Sequence, residues 1–197
     1  MRQFVVVGHE VTTDAEISLD DLPGAGRFDV LCRAVTATLL TSHGIREDTR
    51  VHVVIDDEVT ITVDGAHVRR LNPDERSTAA LLRGALEERA EAIGHQPVES
   101  SPGVELRRRG FQATLDAIVP DGALVVLEAD GEAAGAADTP ERPVFVLSDH
   151  NDFTEDERGI LEDRNAKRLS LGPIALHGDQ AITVAHNWLD TDGFQRY

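Results

Sequence analysis

The sequence predicts an α/β fold in which a largely parallel sheet is sandwiched by helices. Three observations carry that expectation. Three apolar runs in the C-terminal half, Ala123–Leu127, Pro143–Leu147 and Arg168–Leu171, each stop at a tight turn: Glu-Ala-Asp-Gly, Ser-Asp-His-Asn and Gly-Pro. Short unbroken apolar runs suit strands buried on both faces, as in a parallel sheet covered by helices. A capping box, Thr154-Glu155-Asp156-Glu157, opens a helix to about Asn165 between the second run and the third. In such sheets a ligand sits outside the carboxyl ends of the strands, so the three turns are expected to wall one pocket for a small cofactor.

The remaining elements follow in chain order. Phe4–Gly8 reads as the first strand, Asp20–Gly26 as a turn-rich loop, and Asp29–Ser42 as an amphipathic helix ending before His43-Gly44. Arg50–Ile55 and Val59–Val63 flank Asp56-Asp57-Glu58 as a hairpin, and alternation in Val59–Val63 places one face in water. Asp64-Gly65 signals another turn, followed by a short strand near Val68. Asn72-Pro73-Asp74 starts a helix that runs to Ala92, with Gly94 as its stop. Ser100–Gly103 reads as a loop, and Arg107-Arg108-Arg109-Gly110 precedes a helix over Phe111–Val119. Asp130–Pro143, small, acidic and proline-bearing, reads as a flexible surface excursion. The last helix, Gly178–Asp190, carries apolar residues on more than one face (Ala181, Ile182, Val184, Ala185, Trp188, Leu189). Such a helix must be buried, against another subunit or internally, and a dimer interface is the preferred reading.

Composition narrows the classes. The chain of 197 residues is 41% apolar, enough to fill a core. No run approaches the roughly 20 apolar residues of a membrane helix. Met1–Gly8 enters a strand pattern directly, without the plan of a signal peptide. One cysteine, Cys32, excludes an internal disulfide and a cysteine-rich zinc site and fits a reducing cytoplasm; inside an apolar helix it reads as core. The net charge is −17, and the 19 basic residues include a single lysine, Lys167. An acidic, lysine-poor surface suits a halophile's cytoplasmic protein in molar salt, where the Debye length falls to about 3 Å and self-repulsion costs little. Local arginine clusters then say more about partners than overall charge does. The eight histidines are scattered, so no metal is expected. Gly8 and Gly24–Gly26 lack the spacing of a dinucleotide fingerprint, and Ser100-Ser101 lacks a hydrolase elbow.

Phe145–His150, Leu169–Leu176 and Ala181–Asp190, together with Met1–His9, Leu71–Thr78, Gly94-His95 and Ser100–Val104, resemble the SPOUT superfamily of methyltransferases. Within it the resemblance is to the archaeal tRNA (pseudouridine-54 N1) methyltransferases, and it covers nearly the whole chain. It implies one domain over 1–197, with a small β-hairpin excursion at about 50–72, and a C-terminal trefoil knot. Periodicity alone would not predict the knot, because threaded chains are very rare. The resemblance also implies S-adenosyl-L-methionine as cofactor, tRNA as substrate, and a homodimer through the C-terminal helix, with neither DNA nor membrane as a partner.

The implied cofactor gives the turns their roles. Leu127, Leu171, Ile174 and Leu176 are expected to supply apolar walls, with ordinary core packing as the other reading of each leucine. Backbone groups over Leu171–Leu176, including Gly172, Pro173 and Ala175, are expected to bind the adenine edge, and Ser148 the ribose or tail. Methyl transfer to N1 of pseudouridine also needs a group that accepts or orients a proton. Asp149 follows the strand end directly; it is either that group or a cap of the Asp149–Phe153 turn. Arginine forks suit phosphate oxygens and stack on bases, so Arg27, Arg33, Arg69, Arg70, Arg76, Arg107, Arg108 and Arg109 are the expected RNA contacts, or else salt-bridged surface. The same fold can serve ribosomal RNA methylation of the Nep type, or a non-catalytic RNA-binding role.

Overall fold

A computed structural model describes all residues except Ala15, His95 and Asp121. His95, one of the residues that carries the resemblance, therefore lies outside the described residues. The centre of the sheet is β1 (Arg2–Gly8), which pairs in parallel with both β2 (Thr49–Ile55) and β7 (Pro143–Ser148). Beyond β7 come β6 (Ala123–Ala133) and β8 (Lys167–Ser170), both parallel. Beyond β2 the sheet turns antiparallel through β3 (Val59–Asp64), β5 (Val104–Arg107) and β4 (Val98–Ser101). The spatial order is β4-β5-β3-β2-β1-β7-β6-β8.

Helices cover both faces, which is why the central strands carry unbroken apolar runs. Successive side chains of a strand point to opposite faces. Phe4 and Val6 of β1 and Val51, Val53 and Ile55 of β2 thus pack in one core with α1 (Phe28–Leu39), α2 (Glu75–Glu87) and α5 (Gly178–Asp190). Val5, Val7, Val54, Val144 and Val146 face the other core, with Phe111 and Leu115 of α3 (Phe111–Ile118) and Leu161 of α4 (Glu155–Asp163). The Thr154 hydroxyl and the Glu157 carboxylate form the expected reciprocal capping box of α4. Cys32 is fully buried, and burial pushes its thiol up. No helix among the described residues is long and apolar enough to cross a membrane.

Several local expectations are corrected. The Arg50–Ile55 segment is no excursion, since β2 pairs with β1 from Thr49 to Ile55; its β-branched residues suit the buried middle of the sheet. Ser100–Gly103 is the tip of the β4–β5 hairpin rather than a loop, and Arg107 is the last residue of β5. Val68 is not in a strand. It is buried where its amide donates to the Asp64 carbonyl and Gly103 presses on it; a Cβ on Gly103 (φ 74°) would lie 2.3 Å from the Val68 nitrogen. The helix after Pro73 ends at Glu87 and continues as a 3₁₀ turn, Glu88–Glu91.

The 130–143 segment is pinned, not free. β6 continues to Ala133, and Leu169 of β8 is partnered by Leu127 and again by Glu132. Ala134 is buried, and its carbonyl accepts the Trp188 indole N–H at 3.0 Å. The small residues allow this: at Gly131 the chain passes the β8 backbone so closely that a Cβ would lie 2.6 Å from the Leu169 nitrogen. The apolar circumference of α5 is largely absorbed within the chain. Ile182, Ala185 and Trp188 are buried, Val184 and Leu189 half-buried, and Thr183, Asn187 and Asp190 face outward.

Gly131→Val should therefore displace β8. Overpacking costs about 1–3 kcal/mol and more where backbone must move, so denaturant unfolding at constant salt should show a lowered midpoint.

Candidate active site

The carboxyl ends of β6, β7 and β8, with the segment entering α5, enclose a cavity of about 420 Å³. Its walls include Leu127, Ser148, Asp149, Leu171, Gly172, Ile174, Ala175 and Leu176, all expected there from the sequence. Pro173 is exposed and does not line it. Leu147, Phe153 and Ala181 complete the apolar wall. A Cβ on Gly172 would meet no atom within 4 Å, so the fold itself leaves that space open. The Ser148 hydroxyl donates to the Asn151 carbonyl, and that of Ser170 to the Gly172 carbonyl, which stiffens both turns. The amides of Gly172, Ile174, Ala175 and Leu176 meet no acceptor among the described residues. Donors left free beside apolar walls suit the edge of a heterocycle.

Asp149 is held on all sides. Its side chain is 1% exposed. One carboxylate oxygen accepts from the His9 ring at 3.0 Å and from the Asn151 amide at 2.8 Å; the other accepts from the His9 amide at 2.9 Å. The second His9 ring nitrogen lies 3.0 Å from Glu157, whose carboxylate also caps α4. Both ring nitrogens thus face carboxylates, an arrangement that favours the doubly protonated ring, in which both would donate. Burial opposes that charge, but the hydrogen bonds to Glu157 and Asp149 outweigh it and hold the His9 pKa above its ordinary value. His9 was missed by the sequence reading. It follows the carboxyl end of the central strand, the same position that singled out Ser148 and Asp149.

At the mouth, Arg168 binds Glu128 and Asp130, and Arg158 binds Glu128 at 2.9 Å. The expected RNA-contacting arginines divide. Arg27, in a left-handed turn (φ 62°), and Arg33 grip the buried Asp29, and Arg33 also reaches Glu75 and, at 3.9 Å, Asp179 in the first turn of α5. The Arg27 hydrogen bond is the main reason why the Asp29 carboxyl lies below its usual range. Arg76 pairs with Asp20. Arg69, Arg107 and Arg109 line a different cavity, of about 830 Å³. Arg70 is exposed, and Arg108 donates to the Arg89 carbonyl at 3.1 Å, clamping the 3₁₀ turn after α2. Among the described residues no group of three or more histidine, cysteine or carboxylate side chains could hold a metal ion.

An α/β sheet with a cofactor-sized cavity at its parallel carboxyl ends matches what sequence comparison finds. The chain belongs to the family described as "Putative SAM-dependent RNA methyltransferase", whose model matches residues 1–194. It is 61% identical, over the full length of both chains, to a Haloarcula marismortui protein named tRNA (pseudouridine(54)-N(1))-methyltransferase. A Methanococcoides burtonii protein of the same name is 40% identical over 96% of each chain. Among solved structures, Archaeoglobus fulgidus Nep1 bound to S-adenosylhomocysteine superposes with a TM-score of 0.66 at 14% identity, covering 96% of this chain and 97% of that one; the likeness is one of fold.

The His9 bridge sets a pH dependence. Its folded pKa is raised, so its stabilisation is complete below the unfolded value near 6.5 and is lost as pH rises through the folded value. His9→Gln keeps a donor but no charge. At pH 6 it should cost about 1.5–3 kcal/mol, the worth of hydrogen bonds to charged groups, and the gap from wild type should narrow toward pH 9 in denaturant titrations.

Proposed function

We propose that the chain is an S-adenosyl-L-methionine-dependent methyltransferase acting on N1 of pseudouridine 54 in the TΨC arm of tRNA. The observation that carries this reading is the cavity at the ends of β6, β7 and β8, in a chain 61% identical to a relative bearing that activity in its name. The residues fit the cofactor. The volume of about 420 Å³ lies within the usual range for small-ligand sites, Leu127, Leu147, Leu171 and Leu176 give apolar walls, and the free amides of Gly172 and Ile174–Leu176 are placed to hold a ring edge. The mouth carries both signs of charge, Arg158 and Arg168 beside Glu128 and Asp130, as a zwitterionic amino-acid tail requires.

The bound cofactor supplies an electrophilic methyl group on a sulfonium. The chain holds the acceptor nitrogen in line with the methyl–sulfur bond and excludes water, and such positioning is worth about 7–11 kcal/mol at best. Asp149 acts as an orienter: its carboxylate, already accepting from His9 and Asn151, fixes the β7 turn, and the N1 proton would pass to solvent at the pocket mouth. Arg27, Arg33 and Arg76 form the RNA-facing rim on the α1 and α2 side, supported by the reach of Arg33 to the start of α5.

A single domain carries the activity and works as a homodimer through α5 and the segment before it. Ile174 and Leu176, 75% and 40% exposed, are the apolar surface that a second copy would cover. The C-terminal region is knotted, a reading supported by β6 flanking Leu169 twice and by the close crossing at Gly131. The acidic, lysine-poor composition points to the cytoplasm of a salt-accumulating cell.

The deciding measurement is mass spectrometry of nucleosides from tRNA and, separately, from ribosomal RNA fragments after incubation with enzyme and labelled methyl donor. N1-methylpseudouridine should arise at position 54 of tRNA; label only in ribosomal RNA would reassign the substrate. Gly172→Val should fold normally yet lower donor affinity at least tenfold in calorimetry, because its side chain enters open space at the pocket wall.

A further inference from the structure

The 830 Å³ cavity lies far from the methyl-transfer pocket. It is lined by Gln3 near the start of β1, Arg50 and His52 near the start of β2, and Thr62 and Asp64 at the end of antiparallel β3. These positions mark the amino end of the parallel strands, whereas the donor pocket marks the carboxyl end. Gln3 lies five residues before Gly8, the level of Asp149 in the donor pocket, so at about 3.3 Å per residue the two are about 17 Å apart along the strand. His52 shares a sheet face with Val54, the face covered by α3 and α4, and only Ala117 and Ile118 at the end of α3 reach the cavity.

Its acidic residues are already engaged. Asp64 holds Arg50 at 2.8 Å, Glu105 holds Arg107 at 3.0 Å, and Glu99 accepts the Gly103 amide at 3.2 Å. Arg109 stands apart as the cation whose guanidinium is part-buried. It forms no ion pair among the described residues, and its Nε is buried without an acceptor. Burial, then the neighbouring Arg107, pushes the Arg109 pKa down, with Glu105 opposing in part. His52 beneath is kept neutral, its pKa driven to about 3 by burial and then by Arg109, Arg50 and Arg107. Instead of cationic charge, the floor offers the Gln3–His52–Thr62 hydrogen-bond chain. Among the described residues, Arg69 donates to the Val68 carbonyl at 3.2 Å and forms no ion pair.

We propose that this groove is a phosphate subsite for the RNA substrate, with Arg109 as its central donor and Arg69 and Arg107 along its rim. The inference rests on the tRNA reading above. A guanidinium fork matches phosphate oxygens, and a partly buried, unpaired one is worth most to an incoming anion. The groove is open and far larger than one phosphate, which suits a continuous backbone. Its distance from the donor pocket means that only a folded RNA engages both, so the enzyme reads tRNA shape at a point remote from the base it modifies.

The test measures binding of a full-length tRNA transcript by fluorescence anisotropy across a KCl series, with donor affinity in parallel. Arg109→Gln should weaken tRNA binding roughly tenfold and flatten the log–log salt slope by about 0.7–0.9, the loss of one phosphate contact, with donor affinity unchanged. Glu99→Gln, which keeps an acceptor for Gly103 but removes a charge from the wall, should tighten tRNA binding. Should Arg109→Gln also lose donor affinity, through a folding defect, Glu99→Gln decides: tightening supports the subsite and no change overturns it. Unaltered tRNA affinity in a folded Arg109→Gln protein overturns it outright. Inorganic phosphate that binds wild type but not Arg109→Gln, with tRNA affinity equal in both, would make the groove a free-anion site and likewise overturn the RNA assignment. A wild-type protein that binds tRNA through Arg109 yet leaves no methyl group on it would refute the enzymatic reading and spare the groove.

Discussion

The parallel pairing of β1 with β7 is the constraint from which the site follows. It sets Val7 beside Ser148, and the Asp149 amide extends the ladder to the Val7 carbonyl at 2.9 Å. Asp149 then lies level with Gly8, and His9, one residue further along, turns back onto it through both its amide and its ring. His9 is a base with two ring nitrogens, Asp149 a carboxylate with almost no access to water. Burying that carboxylate unpaired would be costly, so the His9 ring between Asp149 and Glu157, with the His9 and Asn151 amides, helps to hold the β7 turn closed. The bridge also carries the turn to the first turn of α4. The cavity at the strand ends thus has a wall fixed by hydrogen bonds and a wall of leucines fixed by packing.

On a chain of charge −17, arginines that remain after internal pairing are few, and their places are informative. Arg27 and Arg33 share the buried Asp29, which fixes their stems and leaves part of each fork outward at the pocket end of the sheet. Arg109 is held on the opposite end without a carboxylate. In molar salt, long-range attraction is screened within about 3 Å. Recognition of a polyanion must then rely on direct, shaped contacts, which preorganised forks provide and a diffuse basic surface does not.

Much of the fold was legible because the central strands are buried on both sides, and β1, β6 and β7 announce themselves as short apolar runs ended by turns, whereas β8 buries Leu169 alone and was marked by the Gly-Pro turn after it. The pocket was legible for the same reason: turn residues at strand ends can be counted from sequence. What was lost depended on contacts between distant segments. Nothing local says that Arg50–Ile55 pairs with β1, that Gly131 crosses β8, or that Trp188 satisfies the Ala134 carbonyl; a small, acidic stretch reads as loop unless its partner is known. The apolar breadth of α5 was read correctly as burial, but the surface it covers lies chiefly in the same chain. Asp149 was found by position, whereas its saturation by His9 depends on a residue 140 positions away. The arginines were singled out as a set, and the sheet divides them between its two ends.

Trp188 is the chain's single tryptophan, and its indole closes on Ala134, beside the place where β6 crosses β8. Intrinsic emission from this protein is consequently a report from one spot, the seat of the C-terminal helix over the earlier chain. A refolding trace followed by that emission would report chiefly the docking of the last helix onto Ala134 and onto Phe145 of β7.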